Sequence, residues 1–424
     1  MKYMDYISNK TILEEGGSYG KIDFLYSKTD LTFDEFKNYL YSFIDGSISK
    51  SKPSPELKTD GQNLMISYKN GQFVFARNKS HLKGFGSSPL PSIKELLNHL
   101  NKIPETVQES FKEAGSDIID CLKSIDKILL KQIFQEGAGW LSFEIINPET
   151  KNVFDYGKKS LYLQSVMIVD EKGTQIEENK KFVPVLFEEI EKIGAEHQKH
   201  FVIRQMVKAI FNKNDNEQKD KEYIDKYFEE KIYKPYEMKE TDSIKDFLNM
   251  WWRRYILDNT NFEFADDDIE VLKDRFIRND IHIRLVDFEK NYGKEVSDWI
   301  KSVESNTKQL NYLSNEPIRF IYDEIGYRSI NNLKTHLSSD PEKTLRVFKA
   351  DLKEKIKAVK ELKETDDNYI RFNDIFKKIN SHRPIETLDI VDEGYCFFID
   401  GKIYKVTGYF SHINQLFGIG KYNK

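Results

Sequence analysis

The sequence predicts an α+β protein in which antiparallel strands near both ends of the chain flank a long helical segment. Asn70-Gly71 separates two short apolar runs, as in a tight hairpin, and Asp400-Gly401 does the same near the C-terminus. Between residues 176 and 380 the apolar residues instead recur every three or four positions, which is typical of helices. These two patterns together predict the fold class.

The composition is that of a folded chain without a strong charge bias. Of the 424 residues, 39% are hydrophobic and 13% aromatic, which favours buried cores over disorder. The 65 Lys and Arg nearly balance the 70 Asp and Glu, so we expect nucleic acid to contact a local basic patch. Two cysteines predict a reducing cytoplasm, and the lack of long apolar runs or an apolar leader predicts no membrane contact.

The elements follow one another in a simple order. Strands are expected within 57–77, 141–146 and 161–169, helices within 91–134 and 176–380, and strands again in the last 37 residues. This terminal piece is too small to hold a core of its own. We therefore expect residues 1–175 and 381–424 to form one discontinuous domain, with 176–380 inserted as an all-helical module. Three consecutive domains are the alternative.

Five motifs suited to phosphate chemistry occur along the chain. They are Lys58-Thr59-Asp60-Gly61 (K-x-D-G), Arg77, Phe143-Glu144-Ile145-Ile146, Glu393-Gly394-Tyr395 and Lys405. Each alone is a weak signal in a charged chain. In this order they resemble the covalent nucleotidyltransferase superfamily, which includes ATP-dependent DNA ligases, RNA ligases and mRNA capping enzymes.

Further residues make the resemblance closest to bacteriophage RNA ligases. Asn63 completes K-x-x-G-x-N, as in RNA ligases, and Phe143–Tyr156 is similar to a motif of tRNA-repairing phage ligases. Residues 14–20 and 409–415 are similar to nucleotidyltransferase-like proteins of tailed phages. The resemblance implies a ligase-type domain of antiparallel sheets with flanking helices, located in the host cytoplasm if the chain is phage-encoded. Because the sequence ends at Lys424, we expect no C-terminal OB domain.

The resemblance implies that Lys58 attacks ATP and carries a lysyl-AMP intermediate. An attacking amine must be unprotonated, so we expect desolvation or neighbouring cations to lower the pKa of Lys58. Lys405 would supply such a charge and hold the α-phosphate. Lys402 faces the other side of its strand and would reach the site from the rim. An exposed hairpin lysine is the alternative for both Lys402 and Lys405.

The remaining motif residues are expected to bind the nucleotide. By resemblance, Glu56 accepts from the adenine amino group, Asn63 belongs to the same site, and Asp60 and Gly61 shape the turn that aims Lys58. Arg77 can direct two donors at a phosphate or ribose oxygen, or be a surface arginine. Mg²⁺ would be held mainly by triphosphate oxygens, with a carboxylate or two from the protein.

Two carboxylates lie within apolar strands, where an unpaired charge is costly. These are Glu144 and Glu393. Each needs a partner, which could be a ribose hydroxyl, a metal-bound water or the catalytic lysine. A purely structural ion pair with Lys58 or Lys405 is the alternative.

The predicted activity is ligation of 5′-phosphate and 3′-hydroxyl ends, with RNA favoured over DNA and the helical module holding the acceptor. A first alternative is nucleotidylation of a protein, a small molecule or a nucleic-acid end without sealing. It gains weight because Thr407 stands where the family has a second lysine, and because the sequence contains no recognisable nucleic-acid domain. A second departure from the family is that no adenine-stacking aromatic is evident between Tyr162 and Val169. A second alternative is a non-catalytic, ligase-like binding module.

Overall fold

The computed structural model describes residues 22–86, 92–99, 103–178, 182–197, 200–278, 282–380 and 383–419. The predicted motif at 14–20 lies outside these residues. Within them the chain is α+β, as predicted. No helix of the described chain combines the length and the apolar character needed to cross a bilayer.

The strands are β1 (Asp23–Phe24), β2 (Glu56–Lys58), β3 (Gln62–Lys69), β4 (Gln72–Ala76), β5 (Gly139–Ile146), β6 (Ser160–Val169), β7 (Gln175–Glu178), β8 (Val202–Gln205), β9 (Gly394–Ile399) and β10 (Lys402–Val406). The helices are α1 (Phe33–Ile44), α2 (Lys79–Gly86), α3 (Ile93–His99), α4 (Glu105–Lys123), α5 (Lys127–Phe134), α6 (Val183–His197), α7 (Glu217–Phe228), α8 (Lys234–Tyr236), α9 (Ile244–Asp258), α10 (Asp266–Arg278), α11 (Leu285–Tyr292), α12 (Glu295–Ser314), α13 (Glu316–Asn331), α14 (Pro341–Lys360), α15 (Asp367–Asn380) and α16 (Phe410–Gly418).

Both predicted hairpins are confirmed. β3 pairs with β4 across Asn70-Gly71, and β9 pairs with β10 across Asp400-Gly401. The first turn has φ values of 51° and 77°, and the second has 50° and 77°. Both positions of each turn are thus left-handed, the conformation that Asn-Gly and Asp-Gly pairs favour.

Three elements differ from the sequence prediction. β7 and β8 lie within 176–380, which was expected to be helical, and α16 follows the last strands. β8 is four residues long and pairs in parallel with β6. Such a short strand leaves a period-2 pattern too brief to stand out between amphipathic helices.

The described chain divides into two compact units, each built from separate segments. Unit 1 contains residues up to Asp23, together with 49–211 and 333–424, and unit 2 contains 24–48 and 212–332. The units do not coincide with the predicted domains. Residues 24–48 belong to the helical unit, and 333–380 belong to the unit that holds the strands. Helical periodicity identifies a helix but not the core against which it packs.

Unit 1 contains two sheets. The larger has the strand order β4-β3-β5-β6-β7, with β8 beside β6, and the smaller has the order β1-β10-β9-β2. One face of the larger sheet packs under α4, α5 and α6 in a core that includes Leu64, Phe143, Leu163 and Phe111. Successive strand residues alternate between faces, so Asn63 and Glu144 lie on the other face.

Unit 2 is a helical unit with an aromatic core. Trp252, Phe264 and Phe276 belong to one buried cluster formed by α9, α10, α11 and α12. Capping boxes start two of the helices, Thr32 with Glu35 at α1 and Ser243 with Asp246 at α9. Each box supplies hydrogen-bond acceptors for backbone N–H groups that have no acceptor within the first helical turn.

Candidate functional site around Lys58

The smaller sheet of unit 1 places four of the chemically active side chains on one face. β2 and β10 flank β9 on either side, and Cys396 lies opposite both Glu56 and Lys405. Lys58 lies opposite Gly394, two positions further along the strands. Directly opposed residues share a face, as do residues two apart, so Glu56, Lys58, Cys396 and Lys405 all face the same way.

The ammonium of Lys58 forms an ion pair with the carboxylate of Glu393. The Lys58 side chain is 20% exposed and that of Glu393 is 6% exposed. Burial alone would lower the pKa of Lys58, but the charges of Glu393 and Glu144 outweigh burial and raise this pKa. The prediction that neighbouring cations lower the Lys58 pKa is therefore wrong for this arrangement. The sequence left open whether the buried carboxylates pair with Lys58 or with Lys405, and Glu393 pairs with Lys58.

Glu144 joins the larger sheet to the turn that follows Lys58. It lies on β5 opposite Asn63. Its carboxylate accepts one hydrogen bond from the Gly61 backbone N–H and one from the Gln164 side-chain amide, both at 2.7 Å. Burial raises the pKa of Glu144, and the positive charge of Lys58 opposes this rise. Glu144 is thus held in place from two directions.

Asp60 and Gly61 shape the turn after Lys58, in the way that the motif predicts. The Asp60 carboxylate is buried and accepts the backbone N–H groups of Val153 and Phe154 at 2.8 and 3.1 Å. Burial raises the pKa of Asp60. A Cβ atom at Gly61 would lie 2.6 Å from the Ile145 carbonyl oxygen, so the turn can pass β5 at this distance only with glycine.

Several buried polar atoms at this site lack a hydrogen-bond partner within the described residues, and two of them lie close to the motif residues. They are Asn63 Oδ1 and Thr407 Oγ1. The amide group of Asn63 donates to Ser142 Oγ at 2.8 Å and to Gln164 Oε1 at 3.1 Å, which fixes the direction of Oδ1. Thr407 lies two residues after Lys405 and directly follows the end of β10. An unsatisfied buried polar atom costs about 1–3 kcal/mol, so a polar ligand here would gain stabilising hydrogen bonds.

Two of the predicted site residues do not join this cluster. The Arg77 guanidinium lies 4.6 Å from the centre of the Phe111 ring, on the helix-covered face of the sheet. Lys402 is 57% exposed and pairs with Asp23 at 2.9 Å. Arg77 thus stacks on Phe111 and also donates to the Asn63 carbonyl oxygen at 3.5 Å, whereas Lys402 lies at the rim.

Gln164 is a site residue that the sequence did not identify. Its amide donates to Glu144, and its carbonyl oxygen accepts from Ser142 Oγ at 2.9 Å as well as from Asn63. It therefore orients three polar side chains on one face of the larger sheet. A signal was present, because Gln164 and Ser165 form a polar pair inside a strand that is otherwise mostly apolar.

Tyr156 and Cys396 are two further buried groups at the site. The Tyr156 hydroxyl has no hydrogen-bond partner within the described residues, and burial together with nearby carboxylates raises its pKa. Those carboxylates are Asp60, Asp392, Glu393 and Glu144. Burial raises the pKa of the Cys396 thiol to about 12, so this thiol stays protonated at neutral pH. Both lie in or next to a sequence motif, Tyr156 at the end of Phe143–Tyr156 and Cys396 directly after Tyr395, but the sequence analysis gave neither of them a role.

Asp392 anchors the residue next to Glu393. One carboxylate oxygen lies 2.7 Å from His336 Nδ1, and the other accepts the Leu337 N–H at 3.1 Å. The Asp392 side chain is fully buried. These contacts fix the start of β9, and with it the position of Glu393.

The described residues contain no group of three or more His, Cys, Asp or Glu side chains arranged to hold a metal ion. The chain also matches no family model, no curated protein and no solved structure. Its functional interpretation therefore rests on the arrangement around Lys58 and on the motifs in the sequence.

Proposed function

We propose that the chain is an ATP-dependent nucleotidyltransferase of the RNA-ligase type, with Lys58 as the residue that carries AMP. One observation supports this most strongly. Lys58 on β2, Glu144 on β5 of the larger sheet and Glu393 directly before β9 come from distant parts of the sequence, yet the charges of both carboxylates act on Lys58, and Lys405 on β10 shares its face. Perturbed titratable groups of this kind cluster at active sites.

The covalent step begins with loss of a proton from Lys58. Because its pKa is raised, Lys58 is protonated at neutral pH before reaction. Its ion-pair partner Glu393 is positioned to accept that proton. The free amine then attacks the α-phosphorus of ATP, so that an N–P bond forms, the bond to the bridging oxygen breaks, and pyrophosphate leaves.

Charge and orientation come from the residues around Lys58. Lys405 is 9% exposed and shares a face with Lys58, so in this proposal it stabilises negative charge on the α-phosphate. Glu56 lies on the same face and would accept from the adenine amino group. Asn63 Oδ1 and Thr407 Oγ1 offer further polar contacts to the nucleotide.

Mg²⁺ fits the oxygen donors of this site. Glu144 and Asn63 lie opposite each other on neighbouring strands, and Asn63 Oδ1 lacks a partner within the described residues. Carboxylate and amide oxygens are hard ligands of the type that Mg²⁺ takes, together with phosphate oxygens. These two residues would hold the ion, which supplies positive charge to the triphosphate.

Two other candidate functions each have one observation in their favour. Thr407 replaces a second lysine at the end of β10, which favours an acceptor other than a nucleic-acid 5′-phosphate. The Lys58–Glu393 ion pair satisfies both charges without a ligand, which favours a non-catalytic binding module. In the principal proposal, RNA is preferred over DNA as the acceptor on the strength of the motif resemblance.

The experiment that separates these functions follows a label from ATP to the protein and then to an acceptor. The protein is incubated with Mg²⁺ and ATP labelled at the α-phosphate, and denatured. In a second portion that is not denatured, 5′-phosphorylated RNA, nicked duplex or protein acceptors are added to the labelled enzyme. We expect labelled wild-type protein, labelled Lys402→Ala and unlabelled Lys58→Ala, with transfer to RNA. A binding module would give no label, and transfer to protein alone would favour the other acceptor.

A further inference from the structure

Helix α14 carries a basic stripe along its exposed face. The five residues of this stripe are exposed and have helical spacing on a single face: Lys343, Arg346, Lys353, Lys357 and Lys360. Within the described residues, none of them has a carboxylate within ion-pair distance, although other lysines of unit 1 do. The stripe is therefore a surface of uncompensated positive charge, with Glu342 and Glu354 at its margins.

The opposite face of α14 is packed into unit 1. The Phe348 ring lies 5.6 Å from that of Phe154 and 6.2 Å from that of Phe417, centre to centre. The Thr344 hydroxyl donates to the Asp155 carbonyl oxygen at 2.9 Å. The apolar face is thus already occupied, so α14 cannot lie in a membrane interface by burying that face among lipid chains.

The same packing links the stripe to the candidate site. Phe154, which contacts Phe348, donates its backbone N–H to the Asp60 carboxylate. Asp60 lies two residues after Lys58, in the turn that positions it. The stripe and Lys58 are therefore connected by a short series of buried contacts within unit 1.

We propose that the basic stripe of α14 binds the phosphate backbone of a single-stranded nucleic acid. From Lys343 to Lys360 the helix rises about 26 Å, at 1.5 Å per residue. A strand advancing ~3.4 Å per nucleotide places roughly seven nucleotides along this length. The phosphates of a nucleic-acid strand supply negative charge along the whole length of such a stripe, whereas an acidic protein surface has no such continuous repeat of charge. The idea that the bound strand is also the acceptor rests on the proposed function. The binding of the strand to α14 does not depend on that function.

The test measures RNA affinity directly, independently of nucleotide transfer. The probe is a fluorescent, 5′-phosphorylated single-stranded RNA of roughly 14 nucleotides, twice the length of the stripe. Its Kd is measured over a range of salt concentrations for the wild-type chain and for a triple variant, Lys353→Gln with Lys357→Gln and Lys360→Gln. The matched control is Lys112→Gln with Lys123→Gln and Lys131→Gln, which removes three exposed lysines from other helices of unit 1.

We expect the α14 triple variant to bind RNA at least about tenfold more weakly at low salt, and the control to stay within about twofold of the wild type. Each lost phosphate contact lowers the log–log salt slope by ~0.7 for single strands, so three lost contacts lower it by about 2. Wild-type protein that does not bind RNA would overturn the proposal. So would equal weakening in both triple variants, or binding of vesicles containing phosphatidylserine through α14 in place of RNA.

The Lys58→Ala variant keeps this test apart from the catalytic proposal. It retains the full basic stripe, so we expect it to bind RNA with the wild-type Kd and salt slope. If neither protein takes up AMP but both bind RNA through α14, the catalytic proposal fails and the binding surface stands. If AMP is taken up but the α14 triple variant binds RNA normally, the binding surface fails alone.

Discussion

The Lys58 ammonium at the end of β2 and the carboxylate of Glu393, the residue before β9, form an ion pair that joins opposite ends of the chain. Both side chains are largely removed from water. The pair therefore has a structural role whether or not Lys58 reacts with ATP. Removing either partner leaves the other charged group buried without compensation.

A double-mutant cycle measures this structural role. Lys58→Met removes the ammonium but keeps the aliphatic chain, and it should destabilise unit 1 by about 3 kcal/mol, because Glu393 is left unpaired. Adding Glu393→Gln removes the unpaired buried carboxylate charge. The double variant should therefore lose less stability than the two single variants combined. Urea unfolding of the four proteins checks this. Strict additivity would mean that the two charges do not interact.

Position 394 requires glycine because the backbone of β10 passes very close to it. A Cβ atom there would lie 1.9 Å from the Val406 carbonyl oxygen, and its φ of +139° also disfavours side chains. We expect Gly394→Ala to destabilise unit 1 by about 3 kcal/mol or more. The control is Gly418→Ala, because a Cβ atom there meets nothing within 4 Å, and its effect should stay within about 1 kcal/mol. Thermal unfolding compares the two, and similar stabilities would contradict the steric argument.

Asp60 is expected to act as an acceptor for two backbone groups. Asp60→Ala leaves the N–H groups of Val153 and Phe154 without their acceptor, at a cost of about 1–3 kcal/mol each. Asp60→Asn retains one acceptor oxygen, and both bonds in the native protein are made to a single oxygen, so its loss should be clearly smaller. Denaturant unfolding distinguishes the variants. Equal losses would show that the negative charge, rather than these bonds, is what matters.

Asp323 in α13 gives unit 2 a specific pH dependence. Burial raises the pKa of Asp323 to about 8, with Arg319 opposing the rise. Its unfolded pKa is ~3.9, so between these values the folded state binds the extra proton. The stability contributed by this group is complete below about pH 4 and is lost as the pH rises through about 8. Asp323→Asn should therefore flatten the fall in unfolding midpoint between pH 5 and pH 8, and an unchanged fall would contradict this.

Local sequence signals predicted the parts of the fold that depend on local chemistry. Asn70-Gly71 and Asp400-Gly401 adopt left-handed turns, and the strands beside them pair as expected. The K-x-D-G motif correctly indicated that Asp60 and Gly61 shape the turn after Lys58. These features involve backbone conformations that few residue types adopt without strain.

Features that depend on distant contacts were not predictable in the same way. The pattern of α14 shows an apolar stripe but does not show that Phe348 packs against Phe154. The sequence analysis therefore placed this helix in the helical module, whereas its contacts place it in unit 1. Arg77 follows a strand close to the site, yet its guanidinium stacks on Phe111. The charge that dominates around Lys58 is that of carboxylates, and this follows from three-dimensional packing rather than from motif order.

The most direct test asks which residue carries AMP. The wild-type protein, Lys58→Arg and Lys405→Ala are incubated with ATP and Mg²⁺, digested, and mapped by mass spectrometry. Because an arginine cannot lose its proton at neutral pH, we expect an adenylated peptide containing Lys58 in the wild type, a reduced yield in Lys405→Ala, and none in Lys58→Arg. An adduct on another residue, or its complete absence from folded wild-type protein, would contradict the proposal that Lys58 is the nucleophile.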